Sequence, residues 1–81
     1  MWHVYIARCK DGSLYTGITT NIERRLSEHN QKIGAKSLLG KLPVSLIFNE
    51  RYKDQREAAK REREIKGWRK EKKEKLINGL P

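Results

Sequence analysis

No apolar run in this sequence is longer than four residues, Val4 to Ala7. A core therefore has to be assembled from the apolar faces of amphipathic elements, and no stretch can span a bilayer or serve as the centre of a signal peptide. The 81 residues are expected to form one domain, residues 1–81, which buries about 60–65% of its unfolded surface. A deep small-molecule pocket or a full nucleotide-binding α/β fold does not fit in that size. The single cysteine, Cys9, cannot close an internal disulfide, and with His3 and His29 it makes no structural zinc set. The expectation is a cytoplasmic protein without a membrane partner, held together by packing alone.

Charge points to a partner. Nineteen Lys and Arg against ten acids leave a net +9, more than solubility asks for. Residues 51–75 hold twelve of the bases and six of the acids, so +6 of the +9 lies there. Such a segment reads either as a solvated helical face or as a basic stripe that follows a phosphate backbone, and composition leaves both open.

The alternation of Trp2, Val4 and Ile6 with His3, Tyr5 and Ala7 predicts a half-buried first strand from Trp2 to Arg8. Asp11-Gly12 signals a hairpin turn into a second strand carrying Leu14, Thr16 and Ile18 alternately with Tyr15 and Gly17. Register decides what this hairpin displays. A two-residue loop would set Tyr5 and Tyr15 on opposite faces, whereas an odd-numbered connection puts Tyr5, Ala7, Tyr15 and Gly17 on one face and Val4, Ile6, Leu14, Thr16 and Ile18 on the other. The odd connection keeps the aliphatic residues together and is preferred; Gly17 then leaves space beside the two phenols.

Thr20-Asn21-Ile22-Glu23 reads as a capping box for a helix to about Asn30, with Ile22, Leu26 and Ile33 at helical spacing. At about 100° per residue, Arg25 and His29 flank the apolar stripe while Arg24 faces water. Residues 34–43 read as a loop, followed by a third strand in which Val44, Leu46 and Phe48 share one side and Ser45, Ile47 and Asn49 the other. Asp54 can cap the next helix, which runs to Lys66 before Gly67 offers a left-handed stop. On that helix Ala58 and Ile65 form the apolar stripe, with Glu62 about 40° from Ala58. Trp68, Leu76 and Ile77 support a last short helix ended by Gly79-Leu80-Pro81.

Glu62 is the informative position, because a carboxylate in an apolar stripe needs a cation or several donors. The plain explanation is an ion pair with Arg25 or Lys66. The functional one is a ligand for a hard cation such as Mg²⁺, which keeps most of its waters and needs only one or two carboxylates. Taken singly, Tyr5 and Tyr15 are ordinary strand aromatics, Arg25 is a snorkelling helix residue, and His29 is a hydrogen-bonded core-edge imidazole.

Together these residues resemble a known arrangement. His3-Val4-Tyr5, then Tyr15-Thr16-Gly17, then Asn21, Arg24, Arg25, His29 and Asn30, then Ala58, Glu62, Ile65, Lys66 and Trp68 are similar to the GIY-YIG endonuclease domain. The likeness covers residues 2 to about 77, and within the superfamily it resembles small standalone bacterial proteins akin to the nuclease subunit of structure-selective DNA junction resolvases. His3, Val4 and Thr16 depart from the family's namesake triplets, while both tyrosines and Gly17 keep to them.

The resemblance implies an α+β fold, a small three-stranded antiparallel sheet flanked by helices. It implies that Tyr5 activates or positions the attacking water, that Tyr15 contacts water or the scissile phosphate, and that Gly17 lets the backbone pass closely. Arg25 would steady the phosphate charge, His29 would support the phosphate or a phenol, and Glu62 would hold a single Mg²⁺ or Mn²⁺ ion. The function so implied is metal-dependent hydrolysis of DNA phosphodiester bonds, selecting shape over sequence. Arg24, Lys66, Arg69 and Lys70 would contact the nucleic acid, and a protein partner would supply targeting. Two alternatives stay open: a module on the same fold that binds nucleic acid without cutting it, or cuts only with a partner, and a basic ribosome-associated protein whose tyrosines merely pack.

Overall fold

The four-residue apolar run lies in the central strand of a sheet. In the computed structural model, which describes residues 1–79, β1 (Trp2–Arg8) lies between β2 (Leu14–Thr19) and β3 (Ser45–Tyr52), antiparallel to both. The sheet is joined by α1 (Ile22–Asn30), a short 3₁₀ turn over Lys36–Leu38, α2 (Gln55–Lys66) and α3 (Lys70–Ile77). This is the α+β arrangement that the sequence led us to expect.

The expectation of a half-buried first strand is corrected. β1 is covered on both faces, with Val4, Tyr5, Ile6 and Ala7 all buried, because elements pack above and below the centre of the sheet. Two core clusters result. Tyr5, Ala7, Cys9, Leu38 and Val44 pack with Tyr15, Ile22 and Leu26 beneath α1. Val4, Ile6, Ala58 and Ile65 pack with Leu14, Ile18, Phe48, Trp68 and Leu76 beneath α2 and α3. Each fully buried aliphatic side chain contributes up to about 1.5–3 kcal/mol from area removed from water.

The odd connection is what the chain adopts. Val4 pairs with Ile18, Tyr5 with Gly17, Ile6 with Thr16 and Ala7 with Tyr15. The linking residues, Cys9 to Ser13, are closed by Cys9 N–H to Ser13 and Gly12 N–H to Cys9, with Gly12 at φ +86°. Asp11 accepts from both the amide and the hydroxyl of Ser13, which fixes the turn.

β3 departs from simple alternation. Its register slips between Ile6, which faces Phe48, and Ala7, which faces Leu46, so Ile47 is an extra residue in a bulge. The bulge separates Val44, in the α1-side core, from Phe48, in the α2-side core, and leaves Leu46 38% exposed. The predicted common face for Val44, Leu46 and Phe48 does not form, since one inserted residue inverts every position beyond it.

The helix signals held to within a residue. α1 is capped by Asn21, whose side chain accepts from the Arg24 amide, so the cap lies one position after the Thr20 of the expected capping box. Ile33 lies beyond the helix and is 67% exposed, so it does not extend the apolar stripe. Asp54 caps α2 through the Glu57 amide as expected, but Gly67 is right-handed (φ −77°), its N–H reaching back to Arg63 and Glu64. The left-handed stop comes instead at Gly79, φ +69°, after α3; Leu80 and Pro81 lie outside the described residues. Among the described residues no helix is long and apolar enough to cross a membrane.

Candidate active site

The ladder puts Tyr5 and Gly17 directly opposite one another, and the Tyr5 phenol turns over the glycine. A Cβ on Gly17 would lie 2.7 Å from Oη and 2.8 Å from Cζ of Tyr5, and 3.1 Å from the Tyr15 ring. The space anticipated beside Gly17 is therefore filled by the phenol itself. The Tyr5 and Tyr15 ring centroids are 6.2 Å apart, and Tyr15 meets the His29 ring edge-on at 5.3 Å.

His29 comes to this pair from the last turn of α1. Its expected place on the shoulder of the stripe understates its burial, since only 1% of it is exposed. Nδ1 accepts the Ala35 N–H at 3.2 Å, which puts the ring proton on Nε2; Nε2 therefore donates to Tyr5 Oη, 2.8 Å away. The Tyr5 hydroxyl keeps its own proton free to be given elsewhere. Burial and the nearby Arg25 charge both push the His29 pKa down and keep the ring neutral.

The sequence reading missed the support under His29. Gly34 lies against the imidazole so closely that a Cβ there would overlap the ring and come within 2.9 Å of the His29 Cα. Asn30 holds the segment in place, accepting from Val44 N–H at 2.8 Å and donating to the Val44 carbonyl at 3.2 Å. A glycine in a loop and an asparagine at a helix end are each commonplace, so only Asn30, part of the matched motif, carried a signal.

Arg25 is half-buried beside the phenols, with Nη1 3.1 Å from Glu28 Oε1. Its charge acts on Tyr5 and His29. Arg24, one residue earlier, is exposed, as the helical phase requires. Burial, first, and then the neighbouring Tyr15 push the Tyr5 pKa well above the usual phenol value; Arg25 opposes the rise and Glu62 adds to it. The phenol is thus firmly protonated in the absence of added charge.

Glu62 comes from α2, on the opposite face of the sheet. α2 packs across all three strands. Arg61 turns to β3 and binds Glu50 at 3.0 Å, so Glu62, the next residue around the helix, points toward the β2 side, where its charge is felt by Tyr5. Its side chain is 19% exposed and lies 3.4 Å from Lys66 Nζ, one of the two ion-pair partners anticipated. The expected pairing with Arg25 is not made, because Glu28 sits one turn from Arg25 on its own helix.

A family model described as the GIY-YIG catalytic domain matches residues 1–75. This chain belongs to the GIY-YIG family. It is 53% identical over 66 residues to the UPF0213 protein DP2720 of Desulfotalea psychrophila, covering 80% of this chain and 60% of that relative. It is 47% identical over 76 residues to the UPF0213 protein SSP2268 of Staphylococcus saprophyticus, covering 94% and 93% of the two chains. The solution NMR structure of the UPF0213 protein BH0048 from Bacillus halodurans is similar at a TM-score of 0.62 and 40% identity, over 96% of this chain and 84% of that one. GIY-YIG is a nuclease family that acts on nucleic acid and generally uses a divalent metal.

Whether these residues suit a metal turns on the donor set. Among the described residues no three His, Cys, Asp or Glu side chains gather into a cage. One sheltered carboxylate that acts on a buried phenol suits a hard cation whose remaining ligands are water and phosphate oxygens, as Mg²⁺ prefers. Cys9 is buried and both nitrogens of His29 are engaged, so neither offers a free donor to a thiolate- or imidazole-seeking ion.

Proposed function

We propose that this domain hydrolyses phosphodiester bonds in DNA, acting on flapped or branched forms, with a single Mg²⁺ or Mn²⁺ held at Glu62. The observation that carries the reading is the Tyr5 phenol, wedged over Gly17, bonded to His29 and subject to the opposed charges of Arg25 and Glu62.

In this reading Tyr5 Oη, as phenolate, takes a proton from water while the water oxygen bonds to phosphorus and the bond to the leaving sugar oxygen breaks, that oxygen taking a proton from solvent water. The His29 Nε2–H steadies the phenolate and fixes its direction; with Nδ1 committed to Ala35, His29 is a positioning residue. Arg25 faces charge that grows on the nonbridging oxygens, so it lowers the transition state more than the ground state. Tyr15 contacts water or the phosphate, and Gly17 provides the close approach. A bound divalent ion would supply Lewis-acid stabilisation of the phosphate oxygens. Neutralising the Glu62 charge also removes one of the influences that keep Tyr5 protonated. Arg24 on α1, Arg69 at the N-cap of α3 and Lys70 in its first turn, all exposed, and Lys66, once released from Glu62, would meet the nucleic acid. These contacts carry no base-reading pattern, which favours selection by shape.

The Lys66–Glu62 pair supports a second reading, a module that holds nucleic acid without cutting it or that cuts only with a partner. Incubating the purified protein with junction, flap, linear and RNA substrates, with and without Mg²⁺, separates the two. Metal-dependent nicks in branched DNA support the nuclease; binding to all substrates with every strand intact supports the module.

A further inference from the structure

We propose that α2 carries on its outward face a second functional surface, a track for the phosphodiester backbone of a nucleic acid duplex, formed by Arg56, Lys60 and Arg63. This rests on the nucleic-acid reading above and adds to it residues outside the matched motifs.

Two of the acids that dilute charge in the sequence are drawn to one flank of α2. Arg61 gathers Glu50 and Glu64 on the flank of α2 facing β3. On the face turned away from the buried Ala58 and Ile65, at about 100° per residue, Arg63, Arg56 and Lys60 lie within about 60° of arc, with Lys66 on one side and Glu64 and Glu57 on the other. Arg56, Lys60 and Arg63 are all exposed. Among the described residues none of them has a carboxylate oxygen within 4.0 Å, the five ion pairs being Arg8–Glu74, Arg25–Glu28, Arg61 with Glu50 and with Glu64, and Lys66–Glu62.

This arc does not serve the helix. Bases at i, i+4 and i+7 repel and weaken an isolated helix by a few tenths of a kcal/mol per pair. Ala58 and Ile65, both fully buried, hold α2 rigidly on the sheet despite that cost. The arc rises about 10 Å along the axis, enough to span about three nucleotides of one strand at 3.4 Å each. A backbone lying on it runs along the outward face of α2, about 100° around the helix from Glu62 at its nearest point, Arg63, and the basic field raises the local concentration of a polyanion there.

The test compares Arg56→Gln/Lys60→Gln/Arg63→Gln with the parent and with Lys10→Gln/Lys32→Gln/Lys36→Gln, which removes the same charge from exposed loop positions. Anisotropy with labelled duplexes of DNA and of RNA, in EDTA over about 50–200 mM KCl, gives the slope of log affinity against log salt. The α2 variant, helical by circular dichroism, is expected to lose about 2–3 units of slope and the loop variant less than one. A loss on one duplex only names the backbone the track takes; a loss on both names their shared phosphates. A parent that binds normally while the α2 variant keeps its slope, or loses no more than the loop variant, overturns the track alone. A parent that binds neither duplex overturns the track and leaves the nuclease reading to the nicking assay on flapped and branched DNA.

Discussion

Tyr5 and Gly17 face each other across the β1–β2 ladder, and the phenol occupies the volume a side chain at Gly17 would need. Both tyrosines, His29 and Arg25 are organised around that one substitution of space for side chain. It also explains why the third position of the Tyr15-Thr16-Gly17 triplet has so little freedom.

Gly17→Ala is expected to force the Tyr5 ring from its bond with His29. Overpacking of this kind costs about 1–3 kcal/mol, which in an 81-residue chain lowers Tm by about 4–8 °C per kcal/mol. Thermal denaturation followed by circular dichroism checks the size, and loss of the Tyr5–His29 contact is visible in imidazole NMR shifts. An unchanged Tm with unchanged shifts would mean that the sheet yields more easily than its packing indicates.

Tyr5→Phe separates stability from chemistry. The ring still fills the space above Gly17, while the His29 Nε2–H loses its acceptor at a cost of about 1–2 kcal/mol. Nicking should fall at least about 100-fold, the usual worth of a placed proton acceptor. Because burial and Tyr15 hold the Tyr5 pKa above the ordinary phenol value, the parent's nicking rate should climb throughout the range up to about pH 10. A flat profile would remove Tyr5 from the proton transfer.

Acidification should destabilise the fold in a window set by His29. Its pKa is lowered in the folded state by burial and Arg25, so below about pH 6.5 the unfolded chain binds the extra proton and the folded chain resists it. The contribution is fully present above that pH and is lost as pH falls through the folded value. Asp11, held low by Ser13, and Glu74, held low by Arg8, lose their contributions only below the ordinary carboxylate pKa of about 4. A Tm series from pH 8 to pH 5 should therefore decline in the parent and flatten in His29→Gln; a parent Tm that rises on acidification would contradict the buried neutral ring.

Much of this arrangement was legible in the sequence because the hairpin has a strict period. An odd connection was the one that kept the aliphatic residues together, and it brings Tyr5, Tyr15 and Gly17 to one face. The bulge at Ile47 was not legible, since Val44-Ser45-Leu46-Ile47-Phe48 alternates well enough to hide one inserted residue. The position of β1 at the centre of the sheet depended on β3, a long-range pairing that local pattern does not encode. Glu62 stood out by its phase on α2, but its choice of Lys66 over Arg25 was settled by Glu28, one turn beyond Arg25 on α1. The buttress of Gly34 and Ala35 on His29 was invisible, because neither residue type carries chemistry in its side chain.

The most direct test is Mg²⁺-dependent nicking of a flapped DNA by the parent, Glu62→Ala and Arg25→Ala, with Tm measured on the same samples. The parent should nick, and both variants should be slower by at least about 100-fold while melting within a few degrees of the parent. Either variant cutting at the parent's rate would contradict a phosphodiester-cleaving centre assembled from both faces of the sheet.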